Sequence, residues 1–365
     1  MGLEFFYSQP VRIWFGAGQF ERLGEVLAEL GLKRCIAVCD PFLKGRLEAL
    51  SARIGAICSV FSGVEENPQL SGVEAVIRLI RETGADGVIG VGGGSTMDTA
   101  KFAAAAASAD GEAIDCFRGA CPFPAVHIPV LTVPTTAGTG IEVTQVSVIS
   151  HGREKKTINN PAFMPKAAVV DPLLTLSVQK RTTMNTGLDA LAHALEGYWS
   201  VNHQPISDQM AKEAVRLVLN NLEQAWRDGG DPEARTNLSL AALFGGLAFA
   251  LPKTAGSHAC SYPLSEDYGL PHGEACAFTL DSFVRINADA RLEALCRSAG
   301  LSGTDELAER ISALKRLGGL RTRLSDLGEV DLDKLAHDAA VHPLMQNNPV
   351  RMDEAALRRM FEALA

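Results

Sequence analysis

The amino-acid sequence predicts an α/β N-terminal domain followed by an all-α C-terminal domain. A chain of 365 residues is too long for one ordinary hydrophobic core, and 47% hydrophobic residues are enough to fill two. Short β-branched runs alternate with helical periods up to about residue 178, whereas Leu and Ala recur at three-to-four spacing from about Arg181 onward. We therefore expect the α/β domain at residues 1–178 and the helical domain at residues 179–365.

Four apolar runs predict the strands of the first domain: CIAVCD (35–40), GVIGVGG (87–93), VHIPVLTVP (126–134) and AAVVD (167–171). The helical segments between these runs predict parallel strands with helical crossovers. Ser71 precedes Glu74 by three residues, which is the spacing of a capping box, so a helix is expected to begin at Ser71.

Composition restricts the class of partner. The net charge is -9 and the Lys and Arg residues are scattered, which argues against nucleic acid and anionic lipid and favours small molecules. Eight cysteines without a CxxC pair, and an N-terminus without a basic region followed by an apolar core, predict reduced thiols in the cytoplasm. No apolar run reaches the ~18 residues that a membrane-spanning helix needs.

One carboxylate and three imidazoles have the spacing of a metal site. Asp189 and His193 are four residues apart in a predicted helix and so project from one face, and His258 and His272 follow in a later segment. The thirteen residues between these two histidines contain two prolines and a glycine, which predicts a loop that folds back. A single histidine on an amphipathic helix is more often a structural residue, so the hypothesis rests on all four together.

Two polar turns follow predicted strands and have the character of nucleotide-binding loops. The turn GVGGGS (90–95) opens a predicted helix, where backbone N–H groups can approach a pyrophosphate, although a purely structural turn is the alternative. The loop PTTAGTG (134–140) offers hydroxyls and amides at a strand end, or its threonines cap a helix. Asp40 ends an earlier strand, where a carboxylate can accept hydrogen bonds from a ribose, but Asp before Pro41 is also a common turn starter.

These motifs resemble the iron-containing (group III) alcohol dehydrogenase family over essentially the whole chain. The GGGS turn, PTTAGTG followed by IEVT, AAVVDP, GLDALAHALE and the paired histidines occur in the family's order and approximate spacing. The resemblance implies a Rossmann-like N-terminal domain, a helical C-terminal domain, a metal in the cleft between them, and a homodimer or larger homo-oligomer. Family habit favours Fe(II), with Zn(II) as the alternative. Asp40 favours NAD(H), with NADP(H) as the alternative.

The resemblance also implies the residues of the site. The implied metal ligands are Asp189, His193, His258 and His272. The implied cofactor residues are Asp40, Asn67, Gly93, Gly94, Ser95, Asp98, Thr135, Thr136, Thr139, Thr144 and, on the nicotinamide side, Lys156. Many family members carry a proton-relaying histidine four residues after the third ligand. This chain has Tyr262 there, so the proton is expected to travel through Tyr262, water or the cofactor ribose.

Two segments, EGYWSVNH (196–203) and PKTAGSHACSYPLS (252–265), are most similar to the phosphonoacetaldehyde reductase branch of the family. A phosphonate dianion needs a cation or several N–H donors once it leaves water, and Lys253 and Thr254 are the candidates. A solvated lysine beside Pro252 is the alternative. The predicted reaction is the metal-dependent reduction of phosphonoacetaldehyde to 2-hydroxyethylphosphonate by NAD(P)H. The alternatives are a general short-chain alcohol dehydrogenase, a lactaldehyde reductase and, less favoured, a dehydroquinate synthase-like lyase.

His258→Ala and His272→Ala are each expected to abolish metal retention and turnover, because each removes one nitrogen ligand. Metal analysis of the purified variants and an aldehyde-reduction assay measure the two effects. Near-normal activity in either variant removes that histidine from the ligand set.

Overall fold

The computed structural model describes residues 4–152 and 154–365, which form two units. One unit contains Ser8–Thr136 and Ile141–Thr175, and we call it the sheet unit. The other contains Leu176–Ala365, the short segment Ala137–Gly140 and residues 4–7, and we call it the helical unit. The predicted fold class, a parallel α/β domain followed by an all-α domain, is confirmed.

The strands are β1 (Arg12–Phe15), β2 (Cys35–Cys39), β3 (Ile57–Phe61), β4 (Gly87–Gly92), β5 (Val130–Pro134), β6 (Val146–His151), β7 (Glu154–Asn159) and β8 (Ala167–Val170). The helices of the sheet unit are α1 (Leu23–Glu29), α2 (Lys44–Ile54), α3 (Leu70–Thr83), α4 (Gly94–Ala107) and α5 (Ala113–Arg118). The helices of the helical unit are α6 (Lys180–Trp199), α7 (Pro205–Arg227), α8 (Pro232–Phe249), α9 (Gly256–Tyr268), α10 (His272–Ile286), α11 (Ala290–Ser298), α12 (Thr304–Leu317), α13 (Leu332–Val341) and α14 (Glu354–Glu362).

Six strands form one parallel sheet in the order β1-β8-β5-β4-β2-β3, and β6 and β7 form a separate antiparallel hairpin. The four predicted strands are β2, β4, β5 and β8. The sequence pattern missed β1, β3 and the hairpin. β1 and β3 lie at the two edges of the sheet and have partly exposed side chains, so they lack the continuous apolar run of a central parallel strand.

Alternate residues of the central strands enter two apolar cores. Ile36 and Val38 pack with residues of α3 and α4, whereas Ala37 and Ile89 pack with residues of α1 and α2. The sheet is therefore covered on both faces. After β3 the chain returns to add β4 on the other side of β2, so the carboxyl ends of β2 and β4 flank the switch point where α/β sheets bind ligands.

Helix α3 begins at Leu70, and Gln69 at its N-terminus makes no capping hydrogen bond through its side chain. The capping box predicted for Ser71 and Glu74 is therefore wrong. Leu70 is buried on the same apolar face as Val73. Packing in the core therefore starts the helix one residue before Ser71, the predicted first residue.

The buried charge of Lys101 holds the chain that follows β5. Its Nζ donates hydrogen bonds to the carbonyl oxygens of Ile141, Thr144 (2.9 Å) and Val146 (3.2 Å). Burial lowers the pKa of Lys101 to about 8 and raises the pKa of Glu142 to about 7. The loop that carries several predicted cofactor residues is thus tied to α4 through one cation.

All eight cysteines are free thiols. In the part of the chain that the structure describes, none of the helices combines the length and the apolar character needed to cross a bilayer.

Glu142→Gln is expected to reduce the pH dependence of stability. Because burial raises the pKa of Glu142 from 4.5 to about 7, the folded state keeps a proton that the unfolded state loses. The free energy of unfolding therefore falls as the pH rises from about 4.5 to about 7, and glutamine removes this contribution. Urea unfolding at about pH 5 and about pH 8 measures the fall. The exposed Glu309→Gln is the control, and equal falls in wild type and Glu142→Gln contradict the prediction.

Candidate metal centre and nucleotide-binding turn

The four predicted metal ligands lie together in the helical unit: Asp189, His193, His258 and His272. The Oδ1 atom of Asp189 is 3.8 Å from Nε2 of His258 and 3.7 Å from Nε2 of His272. The Nε2 atoms of His193 and His258 are 3.0 Å apart. Three of the four side chains are buried, whereas that of His272 is 44% exposed, so the group is accessible from the His272 side.

Helix packing places these side chains. Asp189 and His193 lie one turn apart on α6, His258 lies in the first turn of α9, and His272 is the first residue of α10. A Cβ atom on Gly273 would lie 2.2 Å from the carbonyl oxygen of Asn185 on α6. Glycine at this position therefore lets α10 approach α6 closely enough to bring His272 to Asp189.

The donor set fits a divalent metal ion. Within the described residues, Asp189 Oδ1 and His193 Nδ1 are buried and make no hydrogen bond. Burial, together with the imidazoles of His258 and His272, lowers the pKa of His193 well below its ordinary value, which keeps this ring neutral as a ligand must be. A buried carboxylate oxygen without a donor is costly unless a cation compensates it, and one carboxylate with three imidazoles is a common set for first-row metals.

The segment between His258 and His272 differs from the predicted loop. α9 contains both His258 and Pro263, and Gly269 ends the helix with a left-handed φ of 66°. The prediction of a loop was wrong because one proline can be accommodated where neighbouring helices hold the segment in place. A tight turn after a helix, rather than a flexible loop, returns the chain to the site.

Sequence reasoning missed Glu196, which orients His258. The Glu196 carboxylate is fully buried on α6, and it accepts hydrogen bonds from Nδ1–H of His258 and from the backbone N–H groups of Ser257 (2.7 Å) and His258 (3.2 Å). For the neutral imidazole that a metal requires, this bond fixes the tautomer that leaves the Nε2 lone pair of His258 facing Asp189. The signal was present in the sequence, because Asp189, His193 and Glu196 recur at helical spacing on one face.

Cys276 also reaches this group. It lies one turn after His272 on α10, and its Sγ is 3.7 Å from Nε2 of His272. In the described chain, Asp189, His258, His272 and Cys276 form one group whose potential ligand atoms all lie within 4.8 Å of one another. His193 is outside that group, although its Nε2 contacts His258.

The surroundings of the group contain two ring stacks. Phe249 at the end of α8 stacks on His193 with ring centroids 4.3 Å apart. Tyr262, one turn after His258 on α9, stacks on His342 at 4.2 Å. The stack therefore orients the Tyr262 ring on the same helix as the predicted ligand His258.

In the sheet unit, Asp40 joins the two predicted cofactor loops. Its Oδ2 accepts hydrogen bonds from the backbone N–H of Gly93 (3.2 Å) and from Oγ1 of Thr135 (3.5 Å), and its Oδ1 accepts one from Oγ1 of Thr96. A Cβ atom on Gly92 would lie 2.5 Å from Oδ1 of Asp40, so the turn requires glycine there. The carboxylate predicted to bind ribose is thus also the residue that shapes the turn.

The start of α4 is open to an anion. The helix begins at Gly94, and Gly93 at the N-cap supplies no side-chain hydrogen bond to the first N–H groups. Ser95 and Thr136 are half-buried beside this turn.

Other predicted cofactor residues have mainly structural contacts. Asp98 is buried behind the turn, and its backbone oxygen accepts a hydrogen bond from Oγ of Ser147 (3.0 Å), which ties α4 to β6. Thr144 is buried, and its Oγ1 donates to the carbonyl oxygen of Ile141 (3.4 Å). Thr139 is half-buried in the segment that belongs to the helical unit.

The structure favours Lys155 over Lys156 as the lysine near the Asn-Pro turn. Asn67 has a left-handed φ of 56°, and its Oδ1 accepts a hydrogen bond from Nζ of Lys155 (3.0 Å). Lys156 instead pairs with Glu154 (3.0 Å) and lies over the ring of Phe117. Adjacent residues of a strand face opposite sides, so only one of these two lysines faces Asn67. The nicotinamide-side role of Lys156 stays a prediction.

Comparisons with known proteins agree over the whole chain. A family model described as iron-containing alcohol dehydrogenase matches residues 10–172, and one described as the C-terminal part of the Fe-containing alcohol dehydrogenase family matches residues 183–365. Long-chain-alcohol dehydrogenase 1 of Geobacillus thermodenitrificans (strain NG80-2) is 33% identical over 95% of this chain and 93% of its own length. The 1,3-propanediol dehydrogenase of Citrobacter freundii is 32% identical over 98% of each chain. The crystal structure of sulfoacetaldehyde reductase from Bifidobacterium kashiwanohense in complex with NAD+ is 39% identical, with a TM-score of 0.96 over 100% of this chain and 99% of that chain.

Glu196→Gln is expected to lower the affinity for a divalent metal by about 10- to 100-fold, because the amide orients His258 and raises its basicity less well than a carboxylate does. Titration of metal-free protein with Zn(II), followed by calorimetry, measures the affinity. Glu223→Gln, an exposed position on α7, is the control. Equal affinities of wild type and Glu196→Gln contradict the positioning role.

Proposed function

This chain belongs to the iron-containing alcohol dehydrogenase family, and we propose that it reduces a two-carbon aldehyde that carries a tetrahedral oxyanion. Phosphonoacetaldehyde, reduced to 2-hydroxyethylphosphonate, is the first candidate. Sulfoacetaldehyde is the second candidate, and the similarity of this chain to a sulfoacetaldehyde reductase supports it. In both substrates one methylene group separates the aldehyde from the anionic group. We therefore propose one binding site for both.

The residues proposed to hold the metal are Asp189, His193, His258 and His272. When bound, the metal would polarise the aldehyde oxygen and a nicotinamide would supply the hydride. Glu196 keeps Nε2 of His258 directed at the group through its bond to Nδ1. Phe249 covers one face of His193 and excludes water from it. Fe(II) is proposed from the name of the family, with Zn(II) as the alternative.

The turn at residues 92–95 is proposed to bind the pyrophosphate of NAD(H). Gly94 and Ser95 present backbone N–H groups at the start of α4, where the helix dipole favours an anion. Gly93 contributes through its missing side chain, because its own N–H donates to Asp40. Asp40 holds the turn and is proposed to accept a ribose hydroxyl, which would disfavour a 2′-phosphate. The NAD+ complex of the Bifidobacterium relative supports this choice of cofactor, and NADP(H) is the alternative.

Tyr262 is proposed to deliver the proton to the product oxygen. The stacked ring of His342 fixes the plane of Tyr262, and Nδ1 of His342 accepts a hydrogen bond from the backbone N–H of Leu344 (3.3 Å). Burial, with the neighbouring imidazole of His258, lowers the pKa of His342 to about 4, so this ring is neutral near pH 7. The lowered pKa makes this ring a weak base, so it supports the tyrosine without taking its proton.

Lys253 and Thr254 are proposed to bind the anion, and the contacts of Lys253 are the observation that supports this most. Its backbone N–H donates to the carbonyl oxygen of Phe249 (2.8 Å), the residue whose ring stacks on His193. Its Nζ donates to the carbonyl oxygen of Ala250 (3.0 Å), and among the described residues no charged partner shifts its pKa. Burial lowers the pKa of this amine, so pairing with an anion would compensate its desolvation.

A substrate panel tests the proposal. Phosphonoacetaldehyde, sulfoacetaldehyde, propanal and lactaldehyde are compared with NADH and NADPH after anaerobic loading with Fe(II). We expect one of the two anionic aldehydes to have the highest kcat/KM. A preference for the neutral aldehydes contradicts the proposal of an anionic substrate, but it does not affect the assignment of the chain to its family.

Lys253→Met is expected to lower kcat/KM for the preferred anionic aldehyde by about 30-fold, equivalent to ~2 kcal/mol for a lost charge-assisted hydrogen bond. The same variant should leave propanal reduction nearly unchanged, because propanal carries no anion. Lys33→Met, at an exposed position of the sheet unit, is the control. Equal losses with charged and neutral aldehydes would show that Lys253 acts on the fold instead.

A further inference from the structure

We propose that Cys276 is a sulfur donor to the metal centre, and that this chain therefore favours Zn(II) or Co(II) over Fe(II) more than a centre of nitrogen and oxygen donors does. The inference rests on the metal centre proposed above. Cys276 comes from α10, the helix that begins with His272, and the two residues are one turn apart on the same face. The spacing places an imidazole and a thiol side by side.

The distances match those of ligands around one ion. Donor atoms bound at ~2.0–2.3 Å in a tetrahedral site lie roughly 3.3–3.8 Å from one another. Sγ of Cys276 is 3.7 Å from Nε2 of His272, and Oδ1 of Asp189 is 3.7 Å from the same nitrogen and 3.8 Å from Nε2 of His258. Sulfur is thus as close to His272 as the Asp189 oxygen is, and it lies within 4.8 Å of a potential ligand atom of Asp189 and of His258.

Its neighbours distinguish Cys276 from a thiol that only fills space. Cys276 is fully buried, and it lies beside an Asp189 oxygen that is itself buried and makes no hydrogen bond within the described chain. Cys260 and Cys296 are equally buried, but in the described chain neither belongs to a group that could hold a metal. The position of Cys276, rather than the burial of thiols in general, carries the argument.

The chemistry requires no oxidant or reductant. Coordination replaces the S–H bond with a metal–sulfur bond and releases one proton to solvent. Thiolate is a softer ligand than carboxylate or imidazole, and it stabilises Zn(II) and Co(II) more than Fe(II). The native metal would then depend on one side chain of α10 that lies outside the four predicted ligands.

Cobalt spectroscopy tests the proposal. Metal-free protein is loaded with one equivalent of Co(II), and wild type is expected to show a sulfur-to-cobalt charge-transfer band in the near ultraviolet. Cys276→Ser should lack this band and should bind Zn(II) about tenfold or more weakly, with a smaller change for Fe(II). Cys296→Ser, a buried cysteine of α11, should keep both properties.

Each outcome decides between the proposals. If wild type binds no Co(II), the metal centre itself is wrong. If wild type binds Co(II) without a band that depends on Cys276, only the sulfur donor is wrong. X-ray absorption of zinc-loaded wild type gives a result independent of how the variant folds: a sulfur scatterer at about 2.3 Å supports the proposal, and a shell of only nitrogen and oxygen overturns it.

Discussion

The candidate metal centre depends on the close approach of three helices around α6. Gly273 lets the start of α10 pack against the backbone of Asn185, and a Cβ on Gly245 of α8 would lie 3.1 Å from the carbonyl oxygen of Ala190. Both contacts lie within one turn of Asp189 or His193. Because rigid helices supply the donors, the distances between them follow from backbone packing and not from the conformation of loops.

This packing also explains why polar groups can be buried here. Asp189, His193 and His258 lie in a bundle whose core is rich in alanine and leucine, where an unpaired carboxylate is unfavourable. Glu196 adds a second buried carboxylate, but it is satisfied by two backbone N–H groups and an imidazole N–H. The two acids therefore differ: Glu196 is fully hydrogen-bonded and orients His258, whereas Asp189 has a buried oxygen without a donor in the described chain, as the proposed metal centre requires.

The sheet unit organises its loops around one ion for each loop: the half-buried carboxylate of Asp40 and the buried amine of Lys101. Asp40 gathers donors from Gly93, Thr96 and Thr135, and Lys101 gathers carbonyl oxygens from the chain after the second loop. A glycine-rich turn loses much conformational entropy on folding, and these charge-assisted bonds offset that loss. The protein's own residues thus determine the shape of both loops.

The features of the fold and site that follow from local sequence patterns could be predicted. The features that depend on contacts between helices could not. The family, the enzyme class and the fold class are confirmed, because the motifs and strand runs are local in sequence. The i, i+4 spacing brought Asp189 and His193 together as expected. The structure of the segment around Pro263 could not be predicted, because neighbouring helices decide it. Cys276 carries no signal of its own, since it meets Asp189 and His258 only when helices distant in sequence pack together.

Lys253 provides an independent argument that the segment between α8 and α9 has a function. Its φ of 70° is left-handed, which costs a residue with a Cβ ~1–2 kcal/mol relative to the right-handed region. The segment is held in place by hydrogen bonds from Oγ of Ser200 to the carbonyl oxygen of Pro252 (2.7 Å) and from Nδ2 of Asn347 to that of Thr254 (2.8 Å). Glycine would remove the strain, so the left-handed backbone supports the proposal that the lysine side chain has a role. A cation held one turn after Phe249 would suit the anionic substrate proposed above, because a two-carbon chain allows little variation between its charge and its aldehyde.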